Sequence, residues 1–197
     1  MVIEKLGAEK PRLLLHACCA PCSSYVIEYL SKHFAITLFF YNPNIFPPDE
    51  YSKRSDELLR MVSEMQIEDV KTVICDYDAK EFQDAVNGFE NCSEGGERCF
   101  RCYELRLKKA VEYAENNGYD YFTTTLSISP YKNAEKLNEI AERLSQNLSV
   151  KALPSDFKKN NGYKRSIELS KEYNLYRQDY CGCVYSKAER EKSRNIE

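Results

Sequence analysis

Seven of the nine cysteines fall in three tight groups: Cys18-Cys19-Ala20-Pro21-Cys22, Cys99-Phe100-Arg101-Cys102 and Cys181-Gly182-Cys183. Thiolates bind metals and exchange electrons. A C-x-x-C turn lets two of them converge on one metal or cluster. Two such turns complete a four-thiolate set of the kind that holds structural zinc or a 4Fe-4S cluster. Spacing alone leaves the metal open. One four-ligand site also leaves three of the seven cysteines over, so the inventory implies a second metal nearby or a redox pair, Cys181 with Cys183, that opens and closes. A purely structural zinc site would not need them. Cys75 ends an apolar run and suits a core, and Cys92 stands alone in a polar stretch, so neither is assigned to the site.

Three other side chains are candidates for proton transfer. His16 stands at the end of the first predicted strand beside the cysteines, where it suits a proton carrier, a donor behind the ligands or a satisfied core histidine. Asp76 and Asp78 follow the third predicted strand, where a carboxylate can ligate a metal, supply a proton or simply cap a helix. Basic residues gather late in the chain: Lys158, Lys159, Lys164 and Arg165, then Lys187, Arg190, Lys192 and Arg194. Tyr163, Tyr173, Tyr176, Tyr180 and Tyr185 interleave with them, a mixture suited to phosphate contact and base stacking. The net charge of -3 supplies no global attraction to nucleic acid, so any RNA contact must rest on local patches.

The elements that must position these residues alternate. Arg12 to Ala17 reads as a strand, Ser23 to His33 as a helix, Ile36 to Tyr41 as a strand and Asp49 to Met65 as a helix. The pattern repeats with strands at Lys71 to Cys75, Tyr121 to Thr124 and Val150 to Leu153. Helices fall at Lys80 to Val86, Phe100 to Asn117 (stopped by Gly118), Asn133 to Ser145 and Tyr163 to Tyr173. This alternation predicts an α/β fold with a mostly parallel sheet flanked by helices and a cysteine-bearing C-terminal tail. At 197 residues the chain suits a single α/β metalloenzyme domain over 1–197. In open sheets of this kind ligands gather beyond the carboxyl ends of the strands, where Cys18, Cys19 and Cys22 fall. The first residues lack the apolar core of a signal peptide, and no apolar run is long enough to span a bilayer. A cytoplasmic location with no membrane partner is expected, and free thiols suit it.

The segments L-L-H-A-C-C-A-P-C, Y-N-P-N-I-F-P, C-F-R-C, T-T-T-L-S-I-S-P-Y-K-N, L-P-S-D-F-K-K-N-N-G-Y-K-R-S and L-Y-R-Q-D-Y-C-G-C run in order through almost the whole chain. They resemble the QueH family of epoxyqueuosine reductases. That resemblance implies a nucleotide-hydrolase-like (HUP/Rossmann-like) fold and an oxidoreductase for the last step of queuosine biosynthesis. In that step the epoxide oxygen is removed from epoxyqueuosine in tRNA without cobalamin. It also implies a 4Fe-4S cluster on Cys18, Cys19, Cys99 and Cys102 and an additional iron close by. Cys22, Cys181 and Cys183 are then the second-metal or redox candidates, whereas spacing alone would have paired Cys19 with Cys22. An external electron donor is required.

Two rival readings differ in kind. An ATP- or sulfur-dependent tRNA-modifying enzyme would place a phosphate loop after the first strand. The stretch H-A-C-C-A-P-C-S-S has no glycine to wrap a phosphate, although Ser23 and Ser24 would open a helix able to accept an anion. A zinc-binding RNA module would keep the cysteines and lose the electron chemistry.

Overall fold

The computed structural model describes residues 10–194. Five strands, β1 (Arg12–His16), β2 (Ala35–Phe40), β3 (Val70–Ile74), β4 (Tyr121–Thr124) and β5 (Lys151–Ala152), form one parallel sheet in the order β3-β2-β1-β4-β5. Helices α1 (Ala20–Leu30), α2 (Pro48–Met65), α3 (Ala79–Val86), α4 (Glu97–Asn116), α5 (Ala134–Ser145), α6 (Gly162–Glu172) and α7 (Val184–Arg194) make the connections and the tail. The period-2 alternation of β1 sends Leu13 and Leu15 into a core with α1 and α2, and Leu14 into a second core with α4 and α5. The sheet is therefore buried on both faces, which is why its central strands are apolar at successive positions. Among the described residues no helix is long and apolar enough to cross a membrane.

The parallel α/β class and the positions of the strands agree with the sequence expectation. Four local differences have physical causes. Helix α1 begins at Ala20, before the expected Ser23, because Pro21 sits in the first turn, where a missing N–H costs nothing and its fixed φ suits a helix start. Helix α4 begins at Glu97, so Cys99 and Cys102 lie on its opening turns. A 3-10 turn at Thr125–Ile128 follows β4, capped by the Thr124 hydroxyl accepting from Leu126 N at 3.1 Å. The tail carries a further helix, α7. Gly118 stops α4 as expected, at φ +66.

The chain leaves β1 towards β2 and β3 on one side of the sheet, and β4 and β5 lie on the other. The switch point lies between the carboxyl ends of β1 and β4, where crossovers diverge and leave a crevice. There Cys18 N donates to Thr125 Oγ1 at 3.2 Å, tying the two loops together.

Candidate metal centre

Helix α1 sets the first group of thiols. Cys19 is its N-cap in extended conformation, and the Ser23 N–H closes the first turn on Cys19 O at 3.1 Å. The hydroxyls of Ser23 and Ser24 turn inward to Cys19 O at 2.8 Å and Pro21 O at 3.0 Å. Both serines are fully buried, which removes the anion site that the rival ATP-dependent reading would need of them. The positive end of α1 instead faces the cysteines. The sulfurs of Cys18, Cys19 and Cys22 all lie within 4.8 Å of one another, the one such group of three metal-ligating side chains among the described residues.

Hydrogen bonds among these thiols pull their proton affinities apart. Hydrogen bonds from Cys18 and Cys22 hold Cys19 well below the usual thiol range, assisted by Gln178 and the Arg54 guanidinium. Gln178 Nε2 donates to Cys19 Sγ at 3.1 Å. Cys18 is correspondingly pushed up to about 12, chiefly through its hydrogen bond to Cys19, and Cys22 is raised through its bonds to Cys18 and Cys19.

The second group gathers where α4 meets the tail. Gly95 N donates to Cys99 Sγ at 3.2 Å. Cys102 packs with Cys183 against Phe82 and Val86. Burial pushes Cys99 upward and Cys102 to about 12, and Cys181 and Cys183 add their charge to both effects. Ser186 N donates to Cys183 Sγ at 3.4 Å, and Lys132 Nζ donates to Cys181 Sγ at 2.9 Å. The segment 180–183 is fastened to the β2–α2 connection and α2: Arg54 Nη1 donates to Cys181 O at 3.2 Å and Phe46 N to Gly182 O at 2.8 Å.

Among the seven thiols, the structure brings Cys22 to Cys18 and Cys19, and Cys181 and Cys183 to the neighbourhood of Cys99 and Cys102. Arg106 connects the two groups. Its Nη1 donates to Cys102 Sγ at 3.9 Å, and its charge lowers both Cys102 and Cys18. A cavity of about 460 Å³ opens over this region, with Cys18, Cys22, Cys181, Arg54, Arg106 and Lys132 in its lining.

His16 is fully buried at the end of β1, with Nδ1 2.8 Å from Thr124 Oγ1 and Nε2 3.2 Å from Tyr41 O. Burial, with the Arg106 charge second, holds its pKa well below the usual imidazole range. Asp78 caps α3, its Oδ1 accepting from Lys80 N at 2.8 Å. Asp76 and Asp78 are exposed, and neither lines this cavity. Cys75 is half-buried against the α4 core, and Cys92 lies outside both groups of thiols.

Residues that the sequence reading passed over complete the site: Arg54, Arg106, Lys132 and Gln178. Arg106 stands four residues after Cys102, a helical spacing that predicts a shared face once Cys102 is placed on a helix. Gln178 lies three residues before Cys181. No local pattern marks Arg54.

This arrangement fits a thiolate-bound metal group. Arg106 is only 2% exposed and has no carboxylate in ion-pairing range among the described residues. A buried cation needs a counter-charge, and ligated thiolates would provide it. Cys102 lies within reach of Arg106, and the charges of Cys102, Cys18 and Cys181 act on it.

Comparisons with known proteins identify the family. The family model described as epoxyqueuosine reductase QueH matches residues 13–189. Proteins bearing that same name include one from Streptococcus pyogenes, 46% identical over 180 residues, covering 90% of this chain and 71% of the relative. One from Staphylococcus epidermidis is 42% identical over 183 residues, with 90% and 77% covered. A third, from Thermotoga maritima, is 33% identical over 178 residues, with 90% and 91% covered. With the match running from β1 into α7 and including all three groups of cysteines, the chain belongs to the QueH family of epoxyqueuosine reductases.

Proposed function

We propose that this chain removes the epoxide oxygen from epoxyqueuosine in tRNA to give queuosine, in the cytoplasm, as an iron-sulfur enzyme that needs no cobalamin. The observation that carries the reading is the convergence of Cys18, Cys19 and Cys22 at the switch point of the sheet, where Cys18 and Cys22 share the lining of one cavity with Cys181. The reaction turns an epoxide into an alkene, consumes two electrons and two protons, and releases the oxygen as water. A 4Fe-4S cluster on Cys18, Cys19, Cys99 and Cys102, with a further iron at Cys22, Cys181 and Cys183, would supply single electrons and a Lewis acid for the departing oxygen. An external one-electron donor replenishes the centre.

The protein's own contributions are positioning, charge and exclusion of water. Arg106 and Lys132, 2% and 7% exposed, hold positive charge against the thiols, which favours an electron-rich centre in this buried setting. Gln178 and the Gly95 N–H orient individual sulfurs. Of the three proton-donor candidates, His16 alone is bonded to a residue lining the cavity, through Arg106 Nε at 3.3 Å. In that bond His16 Nε2 is the acceptor, so its part in this arrangement is to hold Arg106 in place.

The test is direct. Anaerobically prepared, metal-replete protein is supplied with epoxyqueuosine tRNA and a strong one-electron reductant, without cobalamin or ATP. Digestion should yield a nucleoside lighter by one oxygen atom; an untouched epoxide rejects the reading.

A further inference from the structure

Basic residues divide sharply by location. Arg165, the centre of the basic stretch in the sequence, is taken up by Glu28, with Glu168 and Glu172 also in ion-pairing range. Lys158 pairs with Asp156 at 3.0 Å and donates to Ser127 O. Arg194 pairs with Asp179. Two of the four residues 158, 159, 164 and 165 are thus paired within the fold.

The cavity over the cysteines is the reverse. Each carboxylate in its lining has a cation: Glu94 has Lys132 at 3.3 Å, Glu189 has Arg98 at 2.9 Å and Asp179 has Arg194. Arg106, Arg177 and Arg190 also line it and have no carboxylate partner among the described residues. Arg177 bonds only to the Ser170 hydroxyl at 2.9 Å, and both Arg177 and Arg190 are exposed. This leaves a surplus of positive charge around one opening of a protein whose net charge is -3.

At the edge of the same cavity stands Tyr131, 79% exposed, the most exposed large hydrophobic side chain among the described residues. A tight turn holds it there. Tyr131 N donates to Ser129 Oγ at 3.3 Å and Lys132 N to Ser129 O at 3.1 Å, sending Lys132 inward to Cys181 while Tyr131 projects outward. An unpacked aromatic ring held by an ordered turn has no role in the core. It has the form of a stacking platform.

We propose that Tyr131 is the stacking platform for a nucleobase at the mouth of this cavity, and that Arg177 and Arg190 take the phosphates flanking that nucleotide. The inference rests on the epoxyqueuosine reductase reading for the identity of the RNA and deepens it by assigning the surface that holds it. A cavity of about 460 Å³ admits one nucleoside rather than a folded loop. The target nucleotide therefore leaves the anticodon stack and enters with its base directed at the cysteines. Stacking tolerates any base, so Tyr131 is a positioning residue for RNA and leaves selection of the modified base to the floor of the cavity.

The experiment uses anaerobic, metal-replete protein and a labelled anticodon stem-loop, with affinity measured across a salt series and single-turnover rates measured on epoxyqueuosine tRNA. Tyr131→Ala should weaken RNA binding about tenfold. Its rate at saturating tRNA should fall by less than its affinity does, since stacking acts first on substrate binding. Tyr131→Phe should restore affinity, because the ring rather than the hydroxyl stacks. Arg177→Gln with Arg190→Gln should reduce the slope of log affinity against log salt by about 1.5, as expected for two lost phosphate contacts. Lys71→Gln, on the far edge strand, should leave that slope unchanged. Wild-type affinity in Tyr131→Ala together with an unaltered slope in the arginine variant overturns the surface, as does absence of RNA binding by the wild type. Binding that follows these expectations without epoxide reduction upholds the surface and rejects the reaction instead.

Discussion

Arg106 reaches back one turn of α4 to donate to Cys102 Sγ at 3.9 Å, and its guanidinium has no carboxylate partner among the described residues. The remaining donors go to neutral groups, Nε to His16 Nε2 at 3.3 Å and Nη2 to Asn42 Oδ1. Its charge is therefore directed at sulfur. Cys102, Cys18 and Cys181, in that order, are the thiols whose charge raises the pKa of Arg106 against its own burial.

Replacing that cation should change the electron affinity of a metal group held here. In Arg106→Gln the reduction midpoint should move to more negative potential by on the order of 50 mV, the equivalent of about 1 kcal/mol for a one-electron couple. Spectroelectrochemical titration under anaerobic conditions reads it directly. An unchanged midpoint with the visible spectrum intact would show that Arg106 supports packing rather than redox charge.

Metal content separates the thiols. Anaerobically purified protein should be brown and contain iron and acid-labile sulfide. Cys99→Ser or Cys102→Ser should lose most of the colour, while Cys75→Ser, half-buried against the α4 core, should keep it. Stoichiometric zinc without sulfide would remove the cluster, and equal loss in all three variants would break the distinction between ligand and core cysteine.

Segment 181–183 supplies a backbone test as well as a thiol test. Gly182 has φ +132, and a Cβ there would stand 3.0 Å from Arg54 Nη1 and 3.3 Å from Asn44 Nδ2. Gly182→Ala should cost about 1–3 kcal/mol of local stability and move Cys181 and Cys183 together. Turnover should fall strongly in Gly182→Ala and vanish in Cys181→Ser and Cys183→Ser, with most of the cluster spectrum retained. Wild-type turnover in both serine variants would exclude an essential role for the pair.

Much of the scaffold is legible before folding because it depends on local periodicity. The apolar run Leu13-Leu14-Leu15 reads as a strand since a parallel sheet buries both faces, and its residues do divide between two cores. Asn133 before α5 and Gly118 after α4 signal a cap and a stop through their own backbone chemistry. Helix α1 starts at Ala20 and not at the expected Ser23, because Pro21 reads as a turn signal as readily as a first-turn helix residue.

For the site, residue types and spacing supply the chemical inventory: seven grouped thiols, which the spacing of each group makes capable of local convergence. Tertiary structure decided which groups meet. Cys19 receives Gln178 across 159 positions, and Cys181 receives Lys132 across 49, distances in sequence at which no periodicity operates. It also decided which charges are available. Arg165 and Arg190 look alike in a basic stretch, yet only packing places three carboxylates around the first and none beside the second, among the described residues. Composition counts charges, whereas ion pairing, which falls away within a few ångströms in water and salt, is settled by the neighbours that folding supplies.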